Sequence, residues 1–369
     1  MKSKEKRLII LLGRYTFDEN VVKEIKELLS NELRWEKILE YAINCKCVGL
    51  VYFNIRRLGL MIYIKPIIYN IFKYYYQCNK YRNKMVLEEK RHLVKIFENE
   101  KVVLYPLKGA RLLDEVYTDL GSRALNDLDF LCDLEDRVLI DNIMQKRGYE
   151  QGDFDWSSYL IKRMERQKLI SWKINLNTIP IYLKKPEIDD PIIDFFAVDF
   201  SYALDLKKDI SVTKKILSNG SNNEMDKIDF LLHLCCHLYK EAEEAIWIKA
   251  AADLNLIKFC DIREFVLYHF DSYQNEQLSM IITRAEEYNC WEELYFSLYF
   301  VEEIYHDNII AEILEEMKTR HMVLNETRYF QLDNSEVAKE AFYERMFAFE
   351  NADILDNSYR KGGDDVGKE

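Results

Sequence analysis

Residues 104–132 read LYPLKGARLLDEVYTDLGSRALNDLDFLC, and the rest of the chain is organised around them. The stretch ends in an apolar run that Asp127 and Asp129 interrupt. Because side chains alternate faces along a β-strand, both acids should lie on one face, with Leu128 and Phe130 on the other. At roughly 5 Å and an effective dielectric of about 20, two ionised carboxylates repel by about 3 kcal/mol. Mg²⁺ relieves such repulsion and keeps positions for water and phosphate oxygens, so the pair predicts a metal and nucleotide site.

The segment before the acids predicts an anion site. A short strand is expected over residues 102–104, and a helix should begin at Lys108-Gly109. Backbone N–H groups and the helix dipole at such a start point toward phosphate, and glycine lets the backbone approach closely. We predict that Lys108, Gly109 and Arg123 bind the nucleotide, with the two cations on the β and γ phosphates. An ordinary strand-to-helix turn is the alternative, and the acids that follow favour the nucleotide site.

Three parts of this stretch resemble a known signature. Residues 107–109 (Leu-Lys-Gly), Arg123 and residues 127–131 resemble the LKG…R…DhDhL pattern, where h is apolar, of an uncharacterised nucleotidyltransferase family in the polymerase β superfamily. The resemblance extends over roughly residues 35–257. It implies a small mixed sheet with flanking helices, two Mg²⁺ or Mn²⁺ ions held by three acids, and transfer of a nucleoside monophosphate from a nucleoside triphosphate. Ala110 stands where the wider superfamily favours serine or glycine.

The third acid implied by the resemblance belongs on a later strand, predicted over residues 192–204. The family pattern there is aspartate, apolar, histidine, aromatic, and residues 199–202 (Asp-Phe-Ser-Tyr) match it except for the serine. Asp194 is a rival for this role. The two acids are five residues apart, an odd separation that puts them on opposite faces of a strand. We predict that Asp199 completes the set with the earlier acid pair.

Outside these segments, apolar periodicity predicts a helix-rich protein. Helices are expected over residues 18–58, 66–99 and 133–148, from 226 onward and over 265–352, with a loop or helix over 153–166 and a strand over 169–177. We therefore predict an α/β (α+β) fold, a small mixed-sheet nucleotidyltransferase core between helical segments. The expected regions are an N-terminal helical region (1–100), the catalytic core (101–217), a C-terminal helical region (224–355) and a disordered tail (356–369).

Two other clusters admit both a functional and a structural interpretation. Tyr74, Tyr75 and Tyr76 could stack on bases, but aromatic residues at helical spacing are more often part of the packing. His233 and His237 share a helical face and could bind zinc with a third ligand. The sequence lacks the glutamate of an H-E-x-x-H motif, so we expect a buried histidine bonded to an acid and no metal there.

Composition narrows the remaining functions. The net charge of −12 argues against a broad surface for non-specific nucleic-acid binding. Eight cysteines without a C-x-x-C array or disulfide spacing are typical of reduced thiols in the cytoplasm. The apolar run over residues 8–12 is too short for a signal peptide, and no stretch approaches the ~20 apolar residues of a membrane span. We expect a soluble, cytoplasmic protein.

The predicted function is metal-dependent transfer of a nucleoside monophosphate to a hydroxyl or related group, with release of pyrophosphate. Asp127, Asp129 and Asp199 would be the catalytic residues and would hold Mg²⁺ (or Mn²⁺). The acceptor group is expected on a small molecule, a peptide or protein, or an RNA end, with the nucleic acid ranked below the other classes, and no membrane is expected. Two alternatives stay open: a catalytically silent nucleotide-binding or antitoxin-like interaction module, and a kinase-type phosphotransferase.

Overall fold

A computed structural model describes residues 3–204, 209–270, 275–320 and 336–348. Six strands form one mixed sheet, with helices before, between and after them. The predicted α/β class with helical N-terminal and C-terminal segments is confirmed. The helices before the sheet are α1 (Lys4–Leu12), α2 (Glu19–Leu29), α3 (Trp35–Asn44), α4 (Val48–Arg57) and α5 (Pro66–Asn99).

More helices lie between and after the strands. Those between strands are α6 (Lys108–Glu115), α7 (Arg137–Lys146) and α8 (Arg166–Asn175). Those after the last strand are α9 (Ile210–Asn219), α10 (Lys227–Glu243), α11 (Ala245–Lys249), α12 (Leu256–Phe270), α13 (Asn275–Glu287), α14 (Trp291–Tyr305), α15 (Asn308–Arg320) and α16 (Glu336–Met346). Among the helices that the structure describes, none combines the length and apolarity needed to cross a membrane.

The strands are β1 (Tyr105–Pro106), β2 (Leu128–Leu131), β3 (Glu150–Asp155), β4 (Leu160–Arg163), β5 (Thr178–Lys184) and β6 (Phe196–Ser201). Their order across the sheet is β1-β2-β6-β5-β3-β4. Strands β2 and β6 run parallel, and the other neighbouring pairs are antiparallel. The two strands that carry the predicted acids are therefore direct neighbours.

The register of β2 and β6 decides which side chains share a face of the sheet. Asp129 lies opposite Asp199 in the parallel pairing. On the apolar face, Phe130 and Phe200 stack with their ring centroids 5.7 Å apart, and Phe97 of α5 packs edge-on against Phe200 at 5.9 Å. Because facing residues on neighbouring strands point to the same side, Asp129 and Asp199 share the face away from this aromatic packing.

The helices predicted over residues 18–58 and 66–99 are confirmed as α2 to α5. Helix α1 was not predicted. Ser3 caps it by accepting a hydrogen bond from the backbone N–H of Lys6 at 3.3 Å. The short apolar run of residues 8–12 is fully buried, in contact with α2, α3 and α4. Five successive buried residues show no amphipathic period, so periodicity could not reveal this helix.

Three local predictions in the core were wrong. The strand expected over residues 102–104 lies at Tyr105–Pro106, where the backbone pairs with β2. Residues 153–166 mostly form the β3–β4 hairpin, because Asp155 accepts hydrogen bonds from the backbone N–H and hydroxyl of Ser157 and shapes the turn. Residues 169–177 are mainly helix α8 rather than a strand. Their branched and aromatic composition is a weak prior that tertiary context overrides.

Strand β6 is shorter than the predicted span of residues 192–204. Asp190 accepts hydrogen bonds from the backbone N–H groups of Ile192 and Ile193, at 2.8 and 2.9 Å, and this turn delays the strand. Asp194 therefore lies before β6, where it accepts a hydrogen bond from the hydroxyl of Tyr159. The predicted disordered tail (356–369) falls outside the described residues, as do parts of the helical span predicted over 265–352.

Candidate active site

A cavity of about 400 Å³ contains the acid pair that the sequence singled out. Its walls come from the α3–α4 junction, the middle of α5, the stretch from α6 to β2, and helices α10 to α12. Its volume lies within the roughly 300–1,000 Å³ typical of ligand sites. The lining includes Lys46, Tyr75, Arg82, Lys108, Gly109, Arg123, Asp127, Asp129, His237, Glu241, Trp247, Lys258 and Asp261.

Lys108 connects the first turn of α6 to the acid strand. Its Nζ donates to Oδ1 of Asp129 at 3.0 Å, and Asp129 is buried. Lys108 has a φ of 44°, in the left-handed region that side-chain-bearing residues rarely adopt. Strained backbone of this kind concentrates at functional sites, where the surrounding structure enforces it. The lysine is therefore held at the acid pair by both its backbone and its side chain.

The environment of Asp127 disfavours the ionised form of its carboxyl group. Its side chain is accessible through the cavity, yet repulsion from Asp129 and then the loss of solvation raise its pKa above the usual value. The positive charges of Lys108, Arg123 and Lys46 act in the opposite direction and do not cancel that shift. Two carboxylates that repel each other in an open cavity are suitable ligands for a divalent cation. Their oxygen donors fit Mg²⁺.

The structure brings Asp199 to the face of Asp129 without gathering a cluster of three ligands. Asp199 lies opposite Asp129 in register and is half-buried. Across the described ranges, no three His, Cys, Asp or Glu side chains are grouped so that they could hold one metal ion. Asp194 precedes β6 and bonds to Tyr159. The fit to a metal thus rests on Asp127 and Asp129, and the metal role of Asp199 stays a prediction.

Arg123 lies at the cavity with its guanidinium held by a helix that the sequence analysis did not connect to the site. Its Nε donates to Oδ1 of Asp261 on α12 at 2.9 Å, and its Nη2 donates to Oδ2 at 2.6 Å. The hydroxyl of Tyr117 also donates to Asp261, at 2.8 Å. Burial lowers the pKa of Arg123, but the charge and hydrogen bonds of Asp261 outweigh it and raise that pKa above its usual value. The predicted contact of Arg123 with a triphosphate stays a prediction.

Gly109 is a glycine because Arg123 occupies the space beside it. A Cβ atom on Gly109 would lie 2.0 Å from Nη1 of Arg123 and 2.9 Å from Cδ1 of Leu125. The glycine and the arginine of the motif are therefore packed directly on each other. The Asp261 carboxylate fixes the arginine from the other side.

Lys46 and Arg82 are cations of the cavity that were not predicted from the sequence. Lys46, at the α3–α4 junction, is exposed and has a φ of 55°, and Arg82 lies on α5. In the part of the chain that the structure describes, neither side chain makes a hydrogen bond or an ion pair. Neither belongs to a recognisable motif, and only the fold brings them beside Asp127. Within the described residues, Lys46 and Arg82 could therefore bind an anionic ligand without first breaking an ion pair.

The tyrosine and histidine clusters each contain a buried member and a member at the cavity, and Tyr74 is exposed to solvent. Tyr76 is buried and donates to Asp119 at 2.7 Å, whereas Tyr75 lines the cavity. His233 is buried, and its ring stacks on that of His237, with centroids 6.3 Å apart. His237 lines the cavity. The packing interpretation therefore holds for one member of each cluster, and Tyr75 and His237 face the site.

Comparison with known proteins identifies the family of this chain. A sequence model of a family described as "Uncharacterised nucleotidyltransferase" matches residues 31–306, well over half of the chain. The chain therefore belongs to this nucleotidyltransferase family, as its motif predicted. Searches of curated proteins and of solved structures gave no match. The matched span runs from just before α3 through α14, so it includes the helices on both sides of the cavity as well as the sheet.

Proposed function

We propose that this protein transfers a nucleoside monophosphate from a nucleoside triphosphate to a hydroxyl-bearing acceptor and releases pyrophosphate. The observation that supports the proposal is that a pair of carboxylates and several cationic side chains line one cavity. Asp127 and Asp129 lie together at the start of β2, and Lys46, Arg82 and Lys108 line the same space. Carboxylates for a metal and cations for phosphate are the two needs of this reaction.

The cations are assigned to the triphosphate. Lys46 and Arg82 have no protein partner to give up within the described residues, so binding phosphate with them costs no ion pair. Lys108 lies at the N-terminus of α6, where the backbone N–H groups and the helix dipole add to its charge. Arg123 would contribute mainly by holding this turn in place, since Asp261 already engages its guanidinium.

The acids are assigned to the metal. Asp127 and Asp129 would hold Mg²⁺, and Asp199 would contribute from the neighbouring strand. When bound, Mg²⁺ supplies positive charge against the triphosphate and the leaving pyrophosphate, and it lowers the pKa of a coordinated hydroxyl. Lys108 orients Asp129 through their 3.0 Å hydrogen bond. The raised pKa of Asp127 is the electrostatic cost that metal binding would offset.

The decisive experiment identifies the product and the metal dependence together. Purified protein is incubated with each nucleoside triphosphate, with and without Mg²⁺, and triphosphate binding is measured by calorimetry. We expect metal-dependent binding and pyrophosphate as the product. Asp127→Asn and Asp129→Asn should abolish turnover with the fold intact, and Asp194→Asn, which lies outside β6, is the matched control. Nucleoside diphosphate as the product would favour kinase-type transfer instead. Equal binding by the double asparagine variant and the parent would remove the metal assignment.

A further inference from the structure

The wall of the cavity that α10 and α12 contribute carries a second charged cluster, which the proposed function has not used. His237 and Glu241 lie one turn apart on α10, and Lys258 lies on α12. All three line the cavity that contains the acid pair. Nε2 of His237 lies 3.4 Å from Oε1 of Glu241, and Lys258 forms an ion pair with the other oxygen of that carboxylate.

The carboxylate at the centre of this cluster is fixed and charged. Lys258 donates to the backbone carbonyls of Ala252 at 2.7 Å and Asp253 at 2.9 Å, so its ammonium cannot swing away from Glu241. Burial raises the pKa of Glu241, but its interactions with His237, Lys258 and Lys108 outweigh burial and lower it. A buried ion pair gains little net stability against its desolvation cost. The ion pair between Glu241 and Lys258 is therefore better explained by a role in orienting the imidazole of His237 at the cavity than by a contribution to stability.

We propose that His237 is the general base that takes the proton from the acceptor hydroxyl, and that Glu241 is the residue that positions it. The inference rests on the proposed function. As the acceptor oxygen bonds to the α phosphorus, the bond from that phosphorus to the bridging oxygen breaks, and pyrophosphate leaves with the electron pair. The hydroxyl proton moves to the imidazole and then to solvent. A base oriented by a carboxylate is the arrangement that this step requires.

The same wall defines the class of acceptor. Around His237 it is built from Leu234, Leu238, Trp247 and Ile257. Among the described residues of α10 to α12 that line the cavity, the one lysine or arginine is Lys258. Its ammonium is bound by Glu241 and two backbone carbonyls. This wall therefore offers apolar surface and a proton acceptor, and it offers no free positive charge for a polyanion. The acceptor is an uncharged hydroxyl carried on an apolar or aromatic group.

Water serves as the acceptor probe for the catalytic assignment, because the true acceptor is unidentified. Pyrophosphate release from a saturating triphosphate with Mg²⁺ is compared for the parent, His237→Gln and Glu241→Gln. His92→Gln is the matched control, since His92 is an exposed histidine on α5 away from the cavity. We expect His237→Gln to lower kcat by about 100-fold or more, with a smaller loss for Glu241→Gln, while triphosphate affinity stays within about threefold.

Each outcome decides the assignment. Imidazole added to His237→Ala should restore part of the lost rate, which a purely structural histidine would not allow. A His237→Gln variant that keeps the parent rate would overturn the base role, and so would one that loses triphosphate binding or folding along with turnover. If Asp127→Asn loses turnover while His237→Gln does not, the proposed function stands and this inference fails. If the parent releases no pyrophosphate, both fail.

The acceptor class has its own test. Benzyl alcohol and glycerol are offered to the parent at equal concentration, and the nucleotidyl products are separated by chromatography. We expect more product on benzyl alcohol, because its ring can occupy the apolar wall beside Trp247. Equal transfer to the two alcohols, or a preference for glycerol, would overturn the apolar acceptor.

Discussion

The contact between Gly109 and Arg123 gives the sharpest prediction. In Gly109→Ala, the new Cβ would lie 2.0 Å from Nη1 of Arg123, whereas ordinary contact begins at 3.4 Å, so a shift of 3.4 − 2.0 = 1.4 Å is needed. Arg123 cannot make that shift and keep its bonds to Asp261, one of which is 2.6 Å long. Separating a buried ion pair costs about 3–5 kcal/mol, and replacing glycine in a helix returns at most about 1 kcal/mol. We expect a loss of about 2–4 kcal/mol in the free energy of unfolding.

Urea denaturation measures this loss, and a double-mutant cycle tests its cause. In an Arg123→Ala background the nearest remaining atom is Cδ1 of Leu125, 2.9 Å from the new Cβ, so Gly109→Ala should then need only a small shift of that methyl group and cost much less. The coupling energy between the two substitutions should therefore match most of the single-variant loss. A Gly109→Ala protein within about 1 kcal/mol of the parent would refute the crowding argument, as would an equal penalty in both backgrounds.

Three further predictions concern the cavity. Because repulsion raises the pKa of folded Asp127, stability falls as pH rises from the pKa of the unfolded chain to the raised pKa of the folded protein. Asp127→Asn should therefore raise the melting temperature at pH 7, and the gain should vanish in acid, where this carboxyl is protonated in both states. Asp199→Asn should depress kcat strongly with triphosphate affinity within a few-fold, and Asp194→Asn should be nearly silent in the same assay. Lys46→Gln and Arg82→Gln should each weaken triphosphate binding by roughly tenfold or more, as calorimetry would show, and an unchanged affinity would remove that cation from the site.

The elements that the sequence predicted best are those with strong local signals. Pro66 opens α5 and Asp226 caps α10, both at the predicted places. The alternation around Asp127 and Asp129 placed a strand with its aromatic residue on the opposite face, and β2 has that arrangement. Each of these features is decided by residues within one or two turns of each other, so a single sequence contains the information.

The features that could not be predicted depend on distant contacts. Arg123 and Asp261 are 138 residues apart, and no local pattern marks the aspartate as the partner of the motif arginine. Lys46 and Arg82 have no distinguishing neighbours in sequence, and they become candidates only when the fold places them at one cavity. The strand predicted over residues 169–177 failed for a related reason, since composition alone cannot weigh helix against strand when packing decides.

Helices α10 to α12, which follow the sheet, form part of the candidate active site rather than an appendage to it. Asp261 on α12 holds the motif arginine, and that arginine fills the space over Gly109 at the start of α6. Helix α10 brings His237 to the same cavity, and α5 brings Arg82 from the N-terminal side. A change in α12 would therefore reach the turn of α6 through one buried ion pair, without passing through the sheet. This coupling gives a physical reason why the family match continues past the last strand into these helices.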